Sequence, residues 1–564
     1  MSDYLHGAYG DSRSSGNRVA ADSGSAIVCI GTAPVHQVAL GSGETYNVNR
    51  PVLVQNMADM KKYFGYSDAW DKYTVCEAAH HFFENKGVGP LIMINVMNPN
   101  VHYETAEAAK TATPADGAVT IANAGGYVDG SISVEGKTEG TDYTTAYDAE
   151  TDTLVLTEKT AGSLGTSELT ITYTAKKSYS ASLTPVNGAI ALTNAEDVIL
   201  ESVAVATKTK GTDYAVAYNT AKKAIVITEL TSGALGTSAL TVTYNKVDAT
   251  KVTSADVIGT TDNAGTNTGC YAVKNVYTLT QIIPAYIIAP GWTSTPAINT
   301  ALCTVAQKIN SHWDAWVFAD LPITNGSTPL TMATAVTYKN TNGYTKENET
   351  VYFPMVTGTD EKHYHLSVLA SANFLELLSQ NDGVPYHTAS NTDVEIVAHL
   401  YFGSDDDERV FDDEIINENL NKNGIASACF AGGRWAVWGA HAADYNQSDA
   451  DYVNVAETAR MMLFYICNDF QRRRPKNVDK PLTSNDIASI VAEEQNRLDA
   501  LKAMGAIISG TAVIDAESIS NSDVYNGDFV FTFRVTTTPL AKSLKAVVTW
   551  VDEGFSTYYG SMTE

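Results

Sequence analysis

The residues able to do chemistry fall into a few groups, and none is assembled into a working set by its spacing. His80-His81, His363, His365 and His387 are the histidines that approach one another along the chain. A metal site needs imidazoles or thiolates converging on one point. Adjacent His80 and His81 lie on different faces of a helix, and His363 and His365 share a strand face without a third ligand. Packing or surface roles are expected for all of them. Asp405-Asp406-Asp407-Glu408 lacks the alternating acids and glycine that wrap calcium, so a solvated acidic loop is expected.

Nucleophilic catalysis fares no better. There is no G-x-S-x-G turn, and no serine stands in a motif that gives it a base. Gly432-Gly433 is followed by the strand-like Trp435-Ala436-Val437-Trp438-Gly439 rather than by Lys-Ser/Thr, which reads as a hairpin turn and not a phosphate loop. Arg472-Arg473-Arg474 has two open readings. It complements the negative end of the helix it terminates, or it docks an acidic partner. No catalytic, cofactor or metal site is expected.

The chain that must position these groups has 564 residues, enough for roughly three to five domains. A net charge of -27 opposes direct binding to nucleic acid or to an anionic membrane surface. Cys29, Cys76, Cys270, Cys303, Cys429 and Cys467 contain no C-x-x-C pair and read as buried thiols of a reducing compartment. Residues 1–24 are polar, with Tyr4, Leu5 and Tyr9 as apolar anchors and no signal-peptide core. Such a segment is either a disordered tail or an arm that orders on a partner. The expectation is a protein made and assembled in a cytoplasm.

One stretch occurs twice. Thr113-Pro114, Gly140-Thr141-Asp142-Tyr143 and Leu164-Gly165-Thr166-Ser167 return 71 positions later as Thr184-Pro185, Gly211-Thr212-Asp213-Tyr214 and Leu235-Gly236-Thr237-Ser238. Strict alternation, as in Leu169, Ile171 and Tyr173 against Thr170, Thr172 and Thr174, predicts two antiparallel β-sandwich units at 106–177 and 178–247.

The flanks read differently. Apolar strands Ala26–Gly31, Leu91–Val96, Ile282–Ala289, Trp316–Ala319 and Val351–Val356 alternate with helical stretches at 58–64, 74–85, 298–309 and 366–378. This is the pattern of an α/β sheet covered on both faces. Helices at 453–470 and 486–504, then strands at 529–535 and 546–551, give an α+β ending. The expected organisation is an N-terminal arm, 1–24; a split α/β domain, 25–105 and 248–415; the two inserted repeats; a C-terminal α+β domain, 416–543; and a C-terminal arm, 544–564.

Leu420-Asn421-Lys422-Asn423-Gly424-Ile425, Val437-Trp438-Gly439-Ala440 and Tyr452-Val453-Asn454-Val455 resemble the motifs of contractile phage tail sheath proteins, shared by related bacteriocins and injection systems. Ile30-Gly31-Thr32-Ala33-Pro34, Ala319-Asp320-Leu321-Pro322, Tyr352-Phe353-Pro354 and Gly527-Asp528-Phe529 agree with it. The resemblance covers nearly all of 1–105 and 265–564 and none of the repeats. His441 and Ala456-Glu457 depart from the arginines usual in the family.

The resemblance implies a non-enzymatic subunit of six-fold rings stacked around a tail tube, with baseplate and terminator proteins as further partners. It implies a subtilisin-like α/β core without a working triad, and a virion tail or extracellular particle assembled in the bacterial cytoplasm. It also implies terminal arms that add strands to neighbours, here through Tyr4, Leu5, Tyr9, Val547, Val548, Trp550 and Val551. Arg472, Arg473 and Arg474 become candidates for tube docking, and the repeats are expected to project outward. A subtilisin-type hydrolase and an adhesive protein built on the repeats are the competing readings.

Overall fold

The computed structural model describes residues 25–404, 409–445, 455–514, 525–555 and 558. The expected arm 1–24, the acidic run 405–408 and the Tyr452–Asn454 motif lie outside them. The described chain forms two compact units, 1–478 and 479–564.

An eight-stranded sheet organises the first unit. Its order is Val52–Val54, Leu91–Asn95, Ile27–Gly31, Tyr286–Ile288, Trp316–Asp320, Glu349–Tyr352, Ile425–Ala431, Arg434–Trp438. The six inner strands are parallel and the outermost on each side is antiparallel. Every residue of Ile27–Gly31, Leu91–Asn95 and Trp316–Asp320 is buried. Successive side chains point to opposite faces, so both faces of the sheet are covered, as the unbroken apolar runs predict. The strand order reverses between Ile27–Gly31 and Tyr286–Ile288. In open α/β sheets, such a switch leaves a crevice beyond the carboxyl ends of the strands.

Several boundaries differ from expectation. The strand expected over 282–289 is limited to Tyr286–Ile288, because Pro284 has no N–H to give a ladder. The strand expected over 351–356 is two. Glu349–Tyr352 belongs to the large sheet, and beyond Pro354 the chain enters a separate sheet as Met355–Gly358. The break expected at 415/416 is absent. Ile425–Ala431 pairs in parallel with Glu349–Tyr352, so this segment completes the α/β sheet, and the units part at Val478/Asp479. The hairpin turn at Gly432-Gly433 is present, with φ of 61° and 82°, a left-handed pair that glycine adopts without strain.

Between Leu91–Asn95 and Tyr286–Ile288, each copy of the duplicated stretch forms two three-stranded antiparallel sheets. Each encloses its own core, around Leu154, Leu156, Ile171 and Tyr173 in the first and Ile225, Ile227, Val242 and Tyr214 in the second.

The second unit holds a helix, Ser484–Met504, and an antiparallel pair, Ile507–Ile514 with Phe531–Thr537. Thr483 and Asp486 form a capping box at the helix start, and Gly505, at φ 85°, closes it. Ile507–Ile514 was not anticipated from sequence. Its small residues Ser509, Gly510, Thr511 and Ala512 interrupt the apolar alternation, and Gly510 gives Leu498 room to approach.

Candidate functional site

The histidines are placed by packing, as their spacing suggests. His81 is buried beside Tyr364, and burial pushes it down to about 3. His80 pairs with Glu84 at 2.9 Å, His363 stacks on Tyr401 at 3.8 Å, and His387 lies against Tyr386. Among the described residues, no three His, Cys, Asp or Glu could share a metal ion. Five cysteines are buried; Cys467, expected to be so, is exposed on helix Glu457–Arg473.

His365 is the exception, and its partners were not recognised in the sequence. It is the N-cap of Leu366–Gln380, a helix buried along most of its length. Its Nδ1 bonds Glu77 at 2.7 Å and its main-chain N–H donates to the other Glu77 oxygen at 2.6 Å. Two residues on, Ser367 gives both its N–H, at 3.0 Å, and its hydroxyl to Asp320, the last residue of Trp316–Asp320. Two carboxylates thus receive the orphan N–H groups at this helix start, where negative charge is favoured.

The electrostatics agree. Burial alone would depress His365, but the charges of Glu77 and Asp320 outweigh it and push it up to about 9. Burial pushes Asp320 up to about 6 against the opposing pull of His365 and Ser367.

Serine, histidine and carboxylate therefore meet beyond the carboxyl ends of the parallel strands, but their wiring is not that of a hydrolase. A catalytic serine gives its proton to histidine. Ser367 gives its proton to Asp320 and is fully buried, while the imidazole is engaged by Glu77. The cluster anchors the central helix. An aspartate ending an apolar strand, as in Ala319-Asp320, is the one sequence signal that could have located it.

The arginine run sits at the end of helix Glu457–Arg473. Arg472 and Arg473 both bond Asp469, at 3.0 and 3.1 Å, and Arg474 lies over the Phe470 ring. Arg472 also lines a cavity of about 110 Å³ with Trp316, Phe464, Asp314 and Asn468.

In the second unit, helix Ser484–Met504 seats Ile490 and Leu498, and Gln495 bonds both Gly510 O and Ala512 N of the adjacent strand. Each strand of the pair has one strand neighbour among the described residues. Residues 538–551 follow without regular structure. The strand expected over 546–551 is absent from the single chain. Leu544, Val548 and Trp550 are 91%, 92% and 75% exposed, and Val547 and Val551 are exposed too. Tyr4, Leu5 and Tyr9 lie outside the described residues.

No family model matches the chain. Over 119 residues it is 34% identical to the tail sheath protein of Burkholderia phage BcepMu, a stretch spanning 21% of this chain and 23% of that protein's length. Among solved structures it is similar to the sheath tail protein of Desulfitobacterium hafniense, at 10% identity and a TM-score of 0.42 over 95% of this chain and 100% of that one. It is also similar to the contracted sheath of an extracellular contractile injection system, at 15% identity and a TM-score of 0.39 over 50% and 75%. At those scores, neither structural likeness carries weight. Over the 119 matched residues the chain is similar to a tail sheath protein, in line with the motif resemblance, and the stretch spans under a quarter of that relative's length.

Proposed function

We propose that this protein is the sheath subunit of a contractile tail, polymerising as stacked six-fold rings around a tail tube and shortening to drive the tube through a cell envelope. The observation that carries this reading is the 34% identity to a phage tail sheath protein. The exposed apolar residues of 544–551, beside a two-stranded sheet, support the mode of assembly. A strand added to a neighbour's sheet satisfies backbone groups whatever its side chains, and it persists while the connected bodies move. In this reading, Val547, Val548, Trp550 and Val551 form one arm, and Tyr4, Leu5 and Tyr9 form the other. Arg472, Arg473 and Arg474, at the end of helix Glu457–Arg473, are the residues that meet the tube.

The split α/β body is read as subtilisin-like, with the repeats as outward insertions. Baseplate and terminator proteins are further partners, and the particle is a virion tail or its extracellular equivalent, assembled in the bacterial cytoplasm. The hydrolase reading loses its support with the wiring of Ser367.

Negative-stain microscopy of the purified chain tests the reading. Tubes are expected, and a chain joining Thr105 to Lys251 through a short linker should form them too. Dispersed monomers at high concentration would count against a sheath.

A further inference from the structure

The two copies share a frame and differ at one end of it. Thr105 pairs with Lys176 where the chain enters and leaves the first copy, and Ala112 pairs with Leu169 at the opposite end. The longest identical runs of the two copies, Gly140–Tyr143 with Gly211–Tyr214 and Leu164–Ser167 with Leu235–Ser238, belong to that far end. The near ends have diverged. Asn123 and Asn194 take the same left-handed conformation, and Ala124 and Ala195 make the same backbone bond, to Asp152 O and Lys223 O. Immediately after them, Gly125, Gly126 and Gly130 of the first copy become Glu196, Asp197 and Glu201 of the second.

All three acids reach the α/β body. Asp197 accepts from Tyr73 Oη at 2.8 Å and Lys72 Nζ at 3.1 Å. Glu201 accepts the Leu40 N–H at 3.0 Å. Glu196 accepts from Ser67, and its main-chain oxygen accepts from His36 and Gln37 at 2.7 and 3.1 Å. Ile199 and Val247 beside them are buried in the body's own core. The first-copy residues corresponding to the three acids bond inward, although Val128, the counterpart of Ile199, also packs on that core. Gly125 and Gly126 both donate to Asp152 at 2.9 Å, and Gly130 donates to Tyr127. Where the first copy has that aspartate, the second has Lys223, which pairs with Glu196 at 3.1 Å. Receptor and counter-charge have changed together.

We infer that the second copy is the joint of the repeat pair: Glu196, Asp197 and Glu201 clasp the His36–Leu40 and Ser67–Tyr73 segments of this chain, and the first copy is carried by the second. The copies are then not interchangeable ornaments. Their retained far ends are presented alike, while one near end has become an anchor. This inference rests on the duplication and stands apart from the sheath reading.

Hydrogen exchange on the full chain tests it. E196G/D197G/E201G, which installs the first copy's residues, should raise exchange at residues 36–40 and 66–73 about tenfold. Strand Leu240–Tyr244 should stay protected. E196Q/D197N/E201Q, which keeps the shapes, should give a smaller rise at the same segments. Deleting residues 106–176 joins positions already side by side and should leave those segments protected. Unchanged exchange in both triple variants, or loosening of 36–40 and 66–73 by the deletion alone, overturns the inference. If the glycine variant also loses its second core, D197N with K72A serves instead, with the same segments read.

Discussion

The α/β body and the C-terminal unit use their apolar residues in opposite ways. In the body, Ile27, Val28, Trp316 and Phe318 are fully buried, and even its ionisable groups Glu77, Asp320 and His365 are matched to one another. In the C-terminal unit, helix Ser484–Met504 buries Ile490 and Leu498, while Leu544, Val548 and Trp550 face solvent. Among the described residues, the unit after Asp479 carries a two-stranded sheet and an apolar tail exposed to solvent. In the proposed reading, the exposed tail is what a second molecule uses, since exposed apolar groups are available to a partner.

The sharpest way to break this comparison is to damage each side and measure the stability of the isolated chain. Trp316→Ala removes a buried indole and its bond to Thr350, and should cost about 3–5 kcal/mol in denaturant unfolding. A loss below 1 kcal/mol would show that the body is not the tightly packed part.

The pH dependence is expected to be smaller. His365 is raised to about 9 from an ordinary 6.5, so its contribution is complete below about 6.5 and is lost as pH climbs through 9. Asp320, raised to about 6, also binds its proton more tightly when folded, so it too disfavours higher pH, between about 4 and 6. Stability should fall by on the order of 2 kcal/mol from pH 6.5 to 9. In Glu77→Gln that alkaline slope should largely vanish; a variant as steep as the parent would remove His365 as its source.

The smallest effect belongs to the tail. Val548→Asp with Trp550→Ser should change the melting of the dispersed chain by no more than about 0.5 kcal/mol, because neither side chain is buried there. The same pair should block assembly. A large destabilisation of the monomer would mean that the tail already packs on its own chain.

Much of the body was legible in the sequence, because unbroken apolar runs such as Leu91–Asn95 admit few readings. The stop at Gly505 was legible by residue type, but the start was not, since Thr483 caps a helix beginning at Ser484 rather than at the expected 486. What stayed hidden depended on contacts between distant positions. Glu77 meets His365 across nearly three hundred residues, and neither shows a local signal. Ile425–Ala431 joins the body's sheet through a parallel pairing that no local pattern specifies. The clasp was hidden in plain view: the duplication was legible, but the exchange of three glycines for three acids gains meaning only once Tyr73, Lys72 and Leu40 are seen to face them. The second copy is a joint as well as an ornament.

The most direct test is negative-stain microscopy of the full chain beside a chain lacking residues 544–564, at matched concentration. The account predicts tubes from the full chain and dispersed particles from the truncated one, with the two melting alike. Tubes of equal length and number from both would contradict it.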